Sequence, residues 1–407
     1  MEKITDQKHT KYTFIYGVAS MFERAGYYGV RAVLVLYLTS SLLSEGGLEM
    51  SRGDALGLYG TMALAIAFTT IIGALLGDLV LKSKKAIILG GILQAIGAFI
   101  LCIHSVNAVY ISVGLIALGA GLYKPNMIAY FGKFYLNKTK LLDGAYTIYY
   151  GFINLGAFAG VLALGYIGEV YSWKISFIIA GFFFLIAMLI PLFSKEETIV
   201  NPTVKSFSVN RSVILILVTL IVLGVFWMFS DLTYVAKFDI RMSLAELVNF
   251  ENPHIVFQQI ESFPVIVFSL IFAVIWSWYY NHQFVKMLIG FFFGFLSFGV
   301  LFLIPEVVTA THFWIFCLSL FFLSIAEIHL APVLNSTIVK YGNPKYLAIL
   351  IAVSALFTRM FAGITKLFPD ELYDNSAVAL KIGAIGILLV IVLLIVGILF
   401  GKKYLKE

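Results

Sequence analysis

The sequence predicts an all-α integral membrane protein with twelve transmembrane helices. Three observations carry that prediction: a composition that water cannot solvate, twelve apolar runs of spanning length, and a one-sided distribution of lysine and arginine. Of 407 residues, 61% are hydrophobic, 16% aromatic and only 12% charged, which lies outside the range of ordinary soluble domains. So few polar side chains cannot cover a chain of 45.2 kDa, so lipid has to be most of its solvent. Cys102 and Cys317 lie inside apolar runs and read as small core residues, which implies no disulfide framework, metal site or cofactor. The polar opening MEKITDQKHTK runs into a long first span without a small-residue cleavage pattern, so it is expected to stay in the mature protein.

Each span has to cross about 30 Å of hydrocarbon at about 1.5 Å per residue. Runs of that length start near Tyr12, Asp54, Lys85, Val109, Leu142, Lys174, Arg211, Phe257, Lys286, Phe313, Tyr346 and Ala377. The longest connections are 195–210 and 237–256. The first divides the chain into an N-terminal six-helix bundle (1–194), a linker (195–210) and a C-terminal six-helix bundle (211–407). Lysine and arginine concentrate in the N-terminus, the even-to-odd loops and the C-terminus, as at Lys82, Lys84, Lys85, Lys133, Lys138, Lys140, Lys402, Lys403 and Lys406. By the positive-inside rule the linker and both termini are cytoplasmic, in a multi-pass protein of the cell membrane. The formal charge of +6 has this origin, and nucleic-acid binding is not expected.

The informative residues are ionisable groups well inside the spans: Glu23, Arg24, Arg31, Lys124, Asp231, Glu261, Glu327 and Arg359. At roughly 2.5 to 3.5 kcal/mol each, such charges left unpaired would outweigh the whole stability of a domain, roughly 5 to 15 kcal/mol. They have to be paired, hydrated, or both, and a water-filled cavity at mid-depth is the simplest arrangement. Some of them can act only to fix helix register. A carboxylate beside a cation in low dielectric sits near a switching point, because burial favours its neutral form and the cation its charged form. That is the minimum device for coupling a proton to a conformational change. No GxxxxGK[ST] phosphate loop offers another energy source.

Span one carries Glu23-Arg24-Ala25-Gly26-Tyr27-Tyr28-Gly29-Val30-Arg31. This run resembles the ExxER-x-x-YYG-x-R signature of the proton-dependent oligopeptide transporters, a branch of the major facilitator superfamily. Four further stretches follow in the same order: Gly73 to Gly77 and Asp78 through Lys85; Gly121 with Lys124-Pro125-Asn126; Asp143 through Tyr150 with Asn154 and Gly156; and Ala326-Glu327 with Ala331-Pro332. They are similar to the superfamily's loop motif, and to the GxxKPN, INxG and GELxxSP stretches of the family. The resemblance implies a major facilitator fold and proton-coupled uptake of di- and tripeptides by alternating access. It also implies that Arg24 and Glu327 contact the two ends of a zwitterionic peptide, with Tyr27, Tyr28 and Asn154 shaping the pocket. Arg31 with Asp231 and Lys124 with Glu327 would form gates that make and break in alternation, and Glu23, Arg24, Lys124 and Glu327 would carry proton coupling. Chemistry points the same way, since a zwitterion needs a planar cation, an acid and tolerant aromatic walls. Spans four and ten, which correspond in a parallel repeat, each set a proline beside a charge: Pro125 by Lys124 and Pro332 near Glu327.

The chain departs from the family pattern at several positions. The first Glu of ExxER is Ser20, which removes one acid assigned to proton coupling. A family Asn-Pro in span eight is Glu261-Ser262, and a family Trp and Asn in span eleven are Ile351 and Arg359. Glu261 is counted among the substrate-binding residues. It either pairs with Arg359 or retunes the site for another small zwitterionic, anionic or drug-like solute. The histidines are scattered, and His329 lies on a different helix face from Glu327. An intramembrane enzyme would need a nucleophile, base and orienter together, and none is apparent. The expected partners are a small-molecule substrate, protons and the lipid bilayer, and the expected state is a monomer.

Overall fold

The structure, a computed structural model, describes residues 2–4, 7–41, 46–193, 209–248, 253–367 and 375–400. Among these, the first half contributes α1 (Lys11–Thr39), α2 (Arg52–Leu76, prolonged by a π-turn over Gly77–Leu81), α3 (Ser83–Ile100), α4 (Val106–Lys133), α5 (Leu142–Val170) and α6 (Trp173–Phe193). The second half contributes α7 (Val209–Leu232), α8 (Tyr234–Leu247), α9 (Pro253–Trp278), α10 (Gln283–Leu301), α11 (His312–Tyr341), α12 (Leu347–Ile364) and α13 (Ser376–Phe400). Two short strands, β1 (Glu2–Lys3) and β2 (Tyr279–Tyr280), pair antiparallel.

All twelve expected spans are helical, and each begins within four residues of its expected start. Eleven are long and apolar enough to cross a membrane on composition alone. The twelfth, α1, is long enough at 29 residues, but Glu23, Arg24 and Arg31 lie in its middle. The expected linker falls outside the described residues except at its end, where α7 already begins at Val209. The long connection expected at 237–256 is corrected. Tyr234–Leu247 is helical, and only 249–252 lie outside the described residues. Its charges, Lys237, Asp239, Arg241 and Glu246, interrupt the apolar run that marks a span. Ala236, Lys237 and Leu244 are nevertheless buried.

Within the first half α1 packs on α5 and α6, α3 on α4 and α6, and α2 on α4. Within the second, α10 packs on α11 and α13, and α7 on α12. The halves meet through α5 against α9 and α11, and through α12 against α2 and α4. Membrane helices gain no hydrophobic drive from lipid and rely on close packing at small residues. On α5 a Cβ at Gly156 would stand 2.1 Å from the Met21 carbonyl oxygen, and one at Gly160 would stand 2.2 Å from that of Ala25. These two glycines bring α5 against the backbone of α1 on either side of Glu23 and Arg24.

The two ends of the bundle differ. One apolar cluster stays within the first half and another within the second. The third crosses between them at the end where α1 begins, joining Tyr12, Tyr16 and Tyr146 to Ile338, Val339 and Leu347. Polar contacts reinforce that end. Asp143 of α5 is ion-paired with Lys286 of α10 and accepts from the Ser336 hydroxyl of α11. The Asp78 carboxylate accepts from the Ile349 amide at 3.0 Å. Ahead of α1, His9 bridges the halves, with Nδ1 2.8 Å from the Tyr135 hydroxyl and Nε2 2.7 Å from the Ser277 hydroxyl. The Ile4 amide donates to the Trp278 carbonyl at 2.9 Å.

Two tests follow from this closed end. Lys286→Met takes the counter-ion from the buried Asp143 carboxylate, which is expected to cost about 3 to 5 kcal/mol. It should lower the denaturation midpoint in scanning fluorimetry, and adding Asp143→Leu should recover most of the loss. An unchanged midpoint in the single variant contradicts this. Burial, with Lys138 nearby, lowers the His9 pKa from 6.5 to about 4. Above about pH 6.5 the ring is neutral whether bound or released, and the latch is at full strength. Between 6.5 and 4 only the released segment takes up a proton, so the latch weakens as pH falls. Hydrogen exchange at the Ile4 amide should lose protection over that window, relative to an unstructured reference, and His9→Phe should abolish the dependence.

Candidate functional site

A cavity of about 370 Å³ lies between the halves, within the range of small-molecule sites. Its wall is built from helical stripes four residues apart, since i, i+4 and i+8 share a helix face. Helix α1 supplies Ser20, Arg24 and Tyr28, helix α5 supplies Tyr150, Asn154 and Phe158, and helix α11 supplies Glu327, Ala331 and Asn335. Glu23 and Lys124 complete the charged lining.

Arg24 is 6% exposed and Glu23 1%, so each needs a partner. They take each other: Nε and Nη2 of Arg24 donate to the two Glu23 oxygens at 2.5 Å each. The guanidinium also stands 4.6 Å from the Tyr27 ring centroid and 5.7 Å from that of Tyr28. Tyr27, one residue before the Tyr28 stripe, is turned away from the cavity and backs Arg24 from behind. Ser20 donates instead to the Tyr149 hydroxyl at 2.8 Å. Glu327 accepts from the Tyr150 hydroxyl at 2.5 Å, across the two halves. Asn154 lines the cavity with its amide donating to the Tyr150 carbonyl at 2.9 Å. Asn126 serves packing, with its amide donating to the Gly73 carbonyl at 2.9 Å and that of Leu122 at 2.8 Å.

The ionisable lining has a polarity. The first half contributes one acid and two bases, Glu23, Arg24 and Lys124, and the second contributes the acid Glu327. The first half therefore presents a positive wall and the second a negative one, across a space the size of a short peptide.

The expected gate residues are found with other partners. Arg31 is hydrogen-bonded to Tyr59 within the first half, and Asp231 accepts from the Thr365 hydroxyl at 2.8 Å within the second. Among the described residues no ion pair joins Arg31 to Asp231, or Lys124 to Glu327. Glu261 and Arg359 do not compensate each other. Arg359 shares one cavity with Asp231 and another with Lys124, whereas Glu261 faces Lys237 and Arg241 across a separate space. His329 is buried, its Nδ1 2.7 Å from the Ile325 carbonyl and its ring against Phe272.

Tyr149, Tyr150, Gln259 and Asn335 are site residues that the sequence reading did not assign. Asn335 was reachable from its spacing, eight residues after Glu327. Tyr150 was reachable as the residue one turn before Asn154. Gln259 carried no such signal: its side-chain amide is buried at the cavity wall with no hydrogen-bond partner among the described residues.

Arg24→Met should leave the Glu23 carboxylate buried without its counter-ion. The denaturation midpoint should fall clearly, and adding Glu23→Gln should recover most of the loss by removing the uncompensated charge. An unchanged midpoint in the single variant contradicts the pairing.

A sequence profile of the Major Facilitator Superfamily matches residues 16–366. Dipeptide and tripeptide permease A of Pectobacterium carotovorum subsp. carotovorum is 35% identical over 172 residues, covering 42% of this chain and 33% of that protein. Dipeptide and tripeptide permease B of Photorhabdus luminescens is 34% identical over 185 residues, covering 45% and 37%. The match thus spans about a third of these relatives' length. A POT family transporter crystallised with 5-aminolevulinic acid has the same fold, with a TM-score of 0.65 at 18% identity, covering 100% of this chain and 99% of that one. Another, crystallised with a thioalcohol-conjugated peptide, aligns with a TM-score of 0.63 at 19% identity over 98% and 97% of the two chains. The chain belongs to the major facilitator superfamily.

Proposed function

We propose that the protein is a proton-coupled importer of di- and tripeptides that works by alternating access, as a monomer in the cytoplasmic membrane. The observation that carries this reading is the polarity of the cavity, with Arg24 and Lys124 on one wall and Glu327 on the other. A zwitterionic peptide supplies a carboxylate for the first and an ammonium for the second, both charge-assisted. Tyr28, Tyr150 and Phe158 give walls that tolerate varied side chains. The similarity to dipeptide and tripeptide permeases supports the same substrate class. The POT neighbour holding 5-aminolevulinic acid supports a slightly wider one, small molecules that carry both an amine and a carboxylate.

The closed end carries the start of α1 and the basic loops at Lys82 to Lys85 and Lys133 to Lys140, which supports its being the cytoplasmic side by the positive-inside rule. Arg31 and Asp231 are separately engaged at the other end. The structure then represents an outward-facing state awaiting solute and proton. In the cycle, a proton on Glu327 releases Tyr150, and a bound peptide draws the halves together. Arg31 and Asp231 close the outer end as the Asp143–Lys286 and His9 contacts give way. Lys124 meets Glu327 once the proton has left. Ser20, hydrogen-bonded to Tyr149, takes no part in proton transfer, which leaves Glu23 and Glu327 as the carriers.

Reconstituted in liposomes under an inward proton gradient, the protein should accumulate labelled dialanine, and collapse of the gradient should stop accumulation. Glu327→Gln should abolish gradient-driven uptake while retaining weak exchange, because the neutral isostere mimics only the protonated state. Uptake of another solute but no peptide would remove the peptide assignment, and wild-type rates in Glu327→Gln would remove the role given to that residue.

A further inference from the structure

The helix that the sequence concealed brings a second set of charges to the cavity region. Lys237 and Arg241 lie four residues apart on α8, hence on one face. Both line a space of about 170 Å³ with Tyr234 of α8, Glu261 of α9 and Glu327 of α11. Glu327 also lines the main cavity, so the two spaces meet at the residue expected to hold the substrate amine.

The charges in this space are unequally satisfied. Lys237 is only 8% exposed. Its ammonium stands 4.8 Å from the Phe298 ring centroid, and among the described residues it makes no hydrogen bond or ion pair. Arg241 is oriented by Phe238, 5.4 Å from its ring centroid, and its buried Nε has no acceptor. Glu261 is within the same space but exposed, so water can solvate its carboxylate. Glu327 already accepts from Tyr150. Glu261 acts electrostatically on Lys237 and Arg241, but among the described residues it makes no hydrogen bond or ion pair with either, and a buried donor without an acceptor is the costly member of such a set. The missing element is therefore a hydrogen-bonding anion. The volume suffices for a carboxylate on a short aliphatic stem, several times the roughly 30 Å³ share of one water.

We propose that this second cavity is a subsite for an anionic group carried by the solute, with Lys237 and Arg241 as its counter-ions, so that the transporter favours dipeptides with an acidic side chain. The inference rests on the peptide reading above and deepens it. A peptide held between Arg24 and Glu327 would direct one side chain past Glu327 toward α8.

Calorimetric titration of the purified full chain with alanyl-glutamate, dialanine and alanyl-lysine tests the proposal. Alanyl-glutamate should bind about tenfold more tightly than dialanine, the size of one charge-assisted contact, and alanyl-lysine should bind no better than dialanine. Lys237→Gln combined with Arg241→Gln should erase the preference for glutamate and leave dialanine binding within about twofold. Equal binding of the first two peptides by the wild type, a preference for alanyl-lysine, or a preference that survives in the double variant overturns the subsite. Dialanine binding without a glutamate preference overturns the subsite alone, whereas binding of no dipeptide overturns the peptide reading with it. If the double variant does not fold, the wild-type ranking of the three peptides decides.

Discussion

An ion carried into hydrocarbon needs a partner or water, and that requirement organises this protein around Arg24. The residue sits in the middle of an apolar helix and is held by Glu23 through two hydrogen bonds and by Tyr27 from behind. Holding it there requires α5 to lie close against α1, which Gly156 and Gly160 allow. Once α5 is in that position, its Tyr150 reaches across to Glu327 of the other half. The cavity's charges, its walls and the contact between the halves thus follow from one buried guanidinium and the packing that surrounds it.

The same requirement accounts for the difference between the two ends. Where the halves are closed, Asp143 leaves water with a charged partner, Lys286. Where they are apart, Arg31 and Asp231 borrow neutral partners, Tyr59 and Thr365. Neutral partners can be exchanged at small cost, which suits the gating role proposed for these two residues. The buried ion pair is costlier to break, so the closed end needs a compensating gain before it opens. In the proposed cycle that gain is solute and proton binding at mid-depth.

Much of this was legible in the sequence. All twelve spans, the charged residues within them and the order of the five motifs were readable because hydropathy and local spacing record them directly. The stripe from Glu327 to Asn335 was also readable from period alone. Helix α8 was not, because Lys237, Asp239, Arg241 and Glu246 break the apolar pattern. The partners of Glu261 were hidden with it. Partner choice in general was beyond reach. Asp143 and Lys286 are 143 residues apart, and nothing local indicates that α5 and α10 bring them together. His9 was hidden for the same reason, since Tyr135 and Ser277 come from different halves.

In the proposed cycle one cavity is exposed alternately at the two ends of the bundle. Spin labels at exposed positions offer the most direct measure: Arg52 with Glu306 at the outer end, and Asn137 with Lys345 at the inner end. Distances should be recorded by double electron–electron resonance at low pH, with and without saturating dialanine. On adding peptide, the outer distribution should shift shorter and the inner one longer. Distributions that stay unchanged, or that both move in the same direction, would contradict that cycle.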